Sequence, residues 1–395
     1  MQITPRLIFL IAFVTGLAAF LYWDREKVTR HYIIFYRRTE RGLDFIDRVA
    51  KKMPRFWKHY GTAAAISGIA SVVVSAVLIG GVIKKMIVTR SVENGPSLLL
   101  PGLVSQNQFQ AGVSFIPVEY WVIGVGVLMF VHEMSHGIVA RAEDFELNAV
   151  GWVVMGILPG AFVEPKGENM LPGDDADASS GGMWDQGSWK SRLKVLGAGS
   201  FANYLTAALF LLSGVAVSGA VTQSGGTQLV YSAQPGFPAY EQGMRQGILQ
   251  QVNGVNVSTI AQFRDAAGNI SVGENVSFTT SEGEFTVTAI DKKDEAGGYI
   301  GIRYGEVQNT VVKPEFERFQ GGLQWFVSLL WTVGLLNLMI GLFNMLPIKP
   351  LDGGLMAETL IERYLGEEKI GYLDSFSGFG WLVILGSVIA AVIGF

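Results

Sequence analysis

The chain has 395 residues, 49% of them hydrophobic and only 16% charged, where soluble domains average about 25% charged. Thirty Lys and Arg against 34 Asp and Glu give a net charge of −4, and this balance argues against a soluble enzyme, a disordered chain and a basic nucleic-acid binder. Cysteine is absent, which excludes disulfides, thiol catalysis and Cys-ligated metals and leaves His31, His59, His132 and His136 as the imidazole supply.

Six apolar stretches approach the ~20 residues with which a helix crosses a hydrocarbon core of ~30 Å. They are Leu7–Trp23, Gly61–Ile83, Val118–Ala140, Leu193–Val221, Leu323–Leu346 and Gly378–Phe395. The first reads as a retained helix rather than a cleaved signal peptide. No small-residue cleavage site follows it, and Tyr22 and Trp23 stand where an interfacial belt would. Asp24–Tyr60 holds eleven Lys or Arg and five Asp or Glu, so the positive-inside rule places this loop in the cytoplasm. Alternation then sets the N-terminus, Lys84–Pro117 and Thr222–Gly322 outside, with Arg141–Arg192 and Lys349–Ser377 inside. Lys84, Lys85 and Arg90 oppose the rule, but three charges do not outweigh eleven. The bilayer is the expected partner, with anionic lipid at the basic loop; nucleic acid is not expected.

The third span contains His132-Glu133-Met134-Ser135-His136. Two histidines four apart share one face of a helix, one turn from each other, so both can reach one zinc ion. Glu133, beside the first, can reach a water on that metal and take its proton. Histidines and a glutamate inside an apolar span are costly unless used. His31 and His59, in the basic loop, read as solvated.

Next in the chain, Gly151–Val163 is apolar but too short to span, and Gly156, Pro159 and Gly160 break any helix. It reads as a re-entrant or interfacial β-hairpin. Pro165–Lys190 is polar and rich in Gly, Asp and Ser, as in a mobile loop. Thr222–Arg303 then changes character. Alternating runs at Gln228–Tyr231, Leu249–Val252, Val276–Thr280 and Phe285–Ile290 predict strands, with one helix at Ile260–Ala267 and a hairpin turn at Asn253–Gly254. Pro235–Val257 resembles the central stretch of PDZ domains of membrane and periplasmic proteases, which implies an α/β domain that takes an extended peptide by strand addition. The plain alternative is an inert spacer.

A third metal ligand must come from a carboxylate. Asp352 stands out, in Asn344-Met-Leu-Pro347-Ile-Lys-Pro350-Leu-Asp352-Gly353-Gly354 after the fifth span. The prolines break the helix there, the glycines permit a tight turn, and a helix follows over Leu355–Tyr364. Glu164 competes with it, whereas Glu143 and Asp144 read as solvated.

HExxH in one span with NxxPxxPLDGG in a later one resembles the site-2 protease family of intramembrane zinc metalloproteases. Gly156–Pro165, with the sequence GILPGAFVEP, resembles that family's membrane-associated strand region, and Gly199 with Asn203 its GxxxN motif. The resemblance covers about Val118–Tyr364 and leaves the first two spans without a role. It implies zinc ligands His132, His136 and Asp352, Glu133 as general base, and Asn344 near the scissile carbonyl. Asn203 is a second candidate there, or else a helix-to-helix hydrogen bond. It also implies transmembrane proteins as substrates and regulated proteolysis as the setting. The expected molecule is thus a polytopic α-helical membrane protein of about six transmembrane helices, with a re-entrant β-hairpin and an inserted PDZ-like domain. Its expected parts are 1–60 (first helix and basic loop), 61–117 (second helix and outer loop), 118–221 (first half of the core), 222–310 (PDZ-like domain) and 311–395 (second half). A membrane-anchored metalloprotease with a soluble-facing site and a non-proteolytic metal-binding scaffold are the rival readings.

Overall fold

The computed structural model describes residues 4–32, 34–91, 95–104, 107–108, 112–155, 158–166, 187–268, 270–291 and 297–393. Gly156 and most of the polar 165–190 segment lie outside the described residues. The chain divides into two units, 1–215 with 325–395, and 216–324.

The first unit opens with α1 (Pro5–Trp23), N-capped by the Thr4 hydroxyl. Arg6 of α1 pairs with Glu119 at 3.0 Å. The basic segment expected as a loop is folded: β1 (Thr29–His31), β2 (Ile34–Thr39) and α2 (Arg41–Lys52) occupy it. α2 buries Ile46 and Ala50 and exposes Arg48, Lys51 and Lys52. α3 (Pro54–Thr89) has 36 residues, about 54 Å at 1.5 Å per residue. It outruns its apolar stretch because polar residues on both flanks continue the helix, until Arg90 adopts a left-handed conformation. β3 (Leu98–Gly102) and β4 (Val113–Pro117) form a parallel pair, unread in the sequence. α4 (Val118–Ala142) carries the HExxH motif. β5 (Leu147–Met155) and β6 (Leu158–Pro165) follow, so the described residues of the 151–163 stretch are antiparallel β structure. The sheet runs β1-β2-β5-β6, with β6 at its end. α5 (Trp189–Val221) closes this half.

The second unit is built on β7 (Thr222–Ala233), α6 (Pro238–Glu241), β8 (Gln246–Val252), β9 (Val255–Asn256), α7 (Ile260–Ala267), β10 (Asn275–Thr280), β11 (Gly283–Thr288), β12 (Ile290–Asp291), β13 (Gly298–Tyr299) and β14 (Ile302–Val312). Its main sheet runs β11-β10-β8-β7-β14, with β9 folded back on β8. Asn253 and Gly254 both have positive φ, as a two-residue hairpin turn requires. Leu229, Met244, Leu249, Val252, Val276 and Phe278 fill a core of its own.

The chain then returns to the first unit through α8 (Gln320–Asn344), α9 (Asp352–Tyr364) and α10 (Ile370–Val392). Among the described residues six helices are long and apolar enough to cross a membrane. A buried cluster that includes Ile46, Ala64, Val139, Val163, Val195 and Ala198 packs α2, α3, α4, β6 and α5 together around the helical turn that holds His136.

Candidate metal centre

α4 presents His132 and His136 one turn apart, and their rings meet edge to face with centroids 4.6 Å apart. Their Nε2 atoms lie 3.0 Å from each other. Asp352, the first residue of α9, brings Oδ2 to 3.4 Å from His132 Nε2 and 3.2 Å from His136 Nε2. Among the described residues these three form the one group of side chains able to share a metal ion. Ligands on a tetrahedral zinc at ~2.0–2.1 Å stand about 3.3 Å apart, so the three spacings fit the edges of such a polyhedron.

The unused nitrogens fix which ring atoms face the group. His136 Nδ1 lies 2.7 Å from the Val195 carbonyl of α5, which can only accept, so Nδ1 carries the proton and Nε2 its lone pair. His132 Nδ1 faces the Asn203 amide at 3.1 Å. Asn203 is fully buried and its Oδ1 has no partner, while Nδ2 points at the ring. Exchanging O and N, which occupy equal volumes, lets Oδ1 accept from His132 Nδ1–H and frees His132 Nε2 as a ligand. The donor chemistry on both histidines therefore suits a metal. Asn203 sits behind His132, on the ring nitrogen that faces away from Asp352. Asn344 Nδ2 donates to Asp352 Oδ2 at 2.8 Å and lies 3.2 Å from His132 Nε2.

Glycines make this approach possible. A Cβ on Gly199 would collide with His136 Nε2 and lie 2.6 Å from His132 Cε1, so the imidazoles rest directly on the α5 backbone. Gly353 and Gly354 have a different duty from the turn expected of them. They lie within the first turn of α9, where a Cβ would strike the backbone of Met345 or Ile348. The 345–351 connection is pinned by α10: Lys349 N–H donates to Ser377 Oγ, and Trp381 Nε1–H to the Lys349 carbonyl, both at 2.9 Å. The Lys349 ammonium bonds Glu358 at 2.6 Å and Asp374 at 2.8 Å. Burial pushes its pKa down, but those two carboxylates outweigh burial and hold it above the usual lysine value.

Glu133 lies against the backbone of Val163 on β6, so the end strand of the sheet runs beside the motif. Glu164 is not in the group. Its two oxygens are taken by Arg38 Nε at 2.6 Å and Asn148 Nδ2 at 2.8 Å. Glu143 is not solvated as expected, because Lys194 at 2.8 Å and Ser191 at 2.9 Å hold it; Asp144 and His59 are exposed. The Val195 carbonyl was invisible to sequence reasoning, since any residue supplies that group.

A bundle of apolar helices around a convergent His-His-Asp group is the frame of a multi-pass membrane protein with a metal-binding motif. The chain belongs to peptidase family M50, the site-2 protease family, whose model matches residues 120–385. It is 25% identical over 341 residues to a Clostridium perfringens protein provisionally named a zinc metalloprotease, covering 70% of this chain and 97% of that one. A Nostoc protein of the same provisional name is 25% identical over 311 residues, covering 62% and 85%. An uncharacterized Methanocaldococcus jannaschii protein is 23% identical over 411 residues and spans 98% of both chains.

Proposed function

We propose that this peptidase is an intramembrane zinc metalloprotease that hydrolyses peptide bonds within or near transmembrane segments of other proteins, in regulated proteolysis. The observation that carries the reading is the meeting of His132 and His136 from a membrane-length helix with Asp352 from a distant part of the chain. His132, His136 and Asp352 would hold the ion. Bound there, zinc supplies a Lewis acid and brings the pKa of a coordinated water towards ~7.

The remaining roles fall to side chains. Glu133 takes the proton of the attacking water and later hands it to the leaving amine. One N–H of Asn344 is spent on Asp352, and its second can donate to the scissile carbonyl as charge builds on the oxygen. Asn203 holds the His132 ring in its tautomer. A helical substrate hides its carbonyls in internal hydrogen bonds, so it must be drawn out locally. The outer edge of β6, next to Glu133, can hold the unwound strand by main-chain pairing.

Lys/Arg asymmetry supports a cell-membrane orientation with the basic loop and the metal motifs towards the cytoplasm and 222–310 outside. In this reading 222–310 is a PDZ-like module that meets peptide or excludes bulky substrates. The test is a reconstituted transmembrane substrate whose cut is mapped by mass spectrometry, with and without chelator. Glu133→Gln is expected to keep the metal and lose cleavage by several orders of magnitude. Near-normal cleavage by that variant would remove the hydrolytic mechanism. Cleavage only of water-exposed segments would favour a soluble-facing protease, and zinc binding without any cleavage a scaffold.

A further inference from the structure

The family match begins at residue 120, yet α3, which ends at Thr89, packs one face against the helices that carry the centre while Ile66, Val73 and Val77 on its other side stay exposed. Its buried residues are Gly61, Ala64, Gly68, Ser71 and Ser75, alternately three and four apart, hence one helical face. The near neighbours of its two glycines fall on elements that carry the metal centre. A Cβ on Gly61 would lie 3.1 Å from Val139 of α4 and 3.2 Å from Lys194 of α5. One on Gly68 would lie 2.8 Å from Met356 of α9 and 3.3 Å from the Gly197 backbone of α5. Small residues on α3 therefore let it approach both halves of the centre closely.

Two polar contacts give that proximity direction. Tyr60 Oη lies 3.0 Å from Ser135 Oγ, and Ser135 Oγ donates to the Ala198 carbonyl at 2.9 Å. Ser135 has one hydroxyl proton and spends it on Ala198, so Tyr60 is the donor to Ser135. Ser135 precedes His136, and Ala198 precedes Gly199, on which the imidazoles rest. The chain Tyr60–Ser135–Ala198 thus fixes the rotation of the motif turn against α5. At the other end of the face, Ser75 Oγ lies 3.1 Å from the Val72 carbonyl of its own helix and donates over the shorter distance, 2.8 Å, to the buried Met345 carbonyl. Met345 follows Asn344, which holds Asp352.

We propose that α3, outside the family segment, is the positioning element of the metal centre, with Tyr60 aligning the histidine half through Ser135 and Ser75 aligning the Asn344–Asp352 half through Met345. This rests on the reading of the centre given above. Ligand groups must be held within ~0.5 Å, and loss of a partner directly bonded to a ligand costs about 10–100-fold in affinity. Tyr60 and Ser75 bond none of those partners and act on the ligands through the backbone beside Ser135 and Met345, so a smaller loss is expected.

The test uses the purified full-length protein in nanodiscs, with cobalt(II) as the probe, because its visible bands report coordination geometry as well as occupancy. Tyr60→Phe and Ser75→Ala are each expected to weaken cobalt binding by about 5–10-fold and to shift the bands, with the unfolding midpoint of the metal-free protein close to that of the parent. Thr62→Ala, which removes an exposed α3 hydroxyl bonded, among the described residues, only to the Lys58 carbonyl of the same helix, is expected to leave affinity and bands unchanged. Parental affinity and spectrum in both Tyr60→Phe and Ser75→Ala overturn the proposal. So does a loss of affinity that merely follows a lowered midpoint, or a response in only one of the two. His132→Ala separates the underlying reading: if that variant still binds stoichiometric cobalt, the centre itself has been misassigned, whatever α3 does.

Discussion

Asp352 and Glu164 were the carboxylates that the sequence left in contention, and their surroundings now differ in kind. Asp352 Oδ2 faces two imidazoles, whereas both oxygens of Glu164 are occupied by Arg38 and Asn148. Asp352→Asn removes the negative ligand and keeps the shape. Zinc affinity is expected to fall by more than the ~10–100-fold that follows loss of an outer partner. Glu164→Gln is expected to keep stoichiometric zinc and to lose about 1–3 kcal/mol of stability through its weakened buried pairing. Zinc analysis of the two purified variants decides the matter, and metal loss in Glu164→Gln with retention in Asp352→Asn would reverse the assignment. The two histidines were legible because their relation is local, four residues along one helix. For the proposed third ligand the residues left Asp352 and Glu164 in contention and only a resemblance chose between them, because nearness across 216 residues of chain, from His136 to Asp352, is a property of the fold. Asn203 was ambiguous for the same reason: one spacing serves a substrate contact and a bond to His132 equally well.

At the scale of elements, the apolar spans were legible and the short strands in charged surroundings were not. Ile34–Thr39 reads IFYRRT, whose two arginines mask its alternation, although Arg37 pairs with Asp24 at 2.5 Å and Arg38 with Glu164 at 2.6 Å. β2 lies against β5, and the Arg38 side chain reaches over that strand to Glu164 on β6. Gly151 is opposite both Arg38 and Phe162, and a Cβ there would strike the Arg37 carbonyl and the Phe162 ring. The carbonyl is backbone and cannot swing aside, so even alanine must disturb the β2–β5–β6 register. Gly151→Ala is expected to retain zinc, whose proposed ligands come from α4 and α9, yet to lose at least about tenfold in cleavage as β6 shifts from Glu133. Parental turnover by a zinc-loaded Gly151→Ala protein would show that β6 does not hold the substrate.

For the whole molecule, the 216–324 unit interrupts a membrane core whose metal motifs lie on either side of it in sequence. It has its own apolar core, and no histidine occurs in it. A role in substrate selection therefore suits it better than one in the chemistry. In the orientation proposed from the charge asymmetry of the loops it lies outside, with the motifs near the inner ends of their helices. A cysteine replacing exposed Asp265 of α7 should then react with an impermeant reagent applied to intact cells, and one replacing exposed Arg48 of α2 only after lysis. The reverse pattern would invert the orientation. If the unit excludes substrates that still carry a bulky outer domain, replacing Thr227–Arg303 by a short Gly/Ser linker should change selection alone. The ends of β7 and β14 would survive, since Thr222 pairs with Val312, Gln223 with Val311 and Ser224 with Thr310. Zinc content and cleavage of a short model substrate should match the parent, while cleavage of a substrate with an intact outer domain should rise. If a folded, zinc-loaded deletion protein fails to cut the short substrate, the unit belongs to the catalytic machinery and the filter idea is wrong.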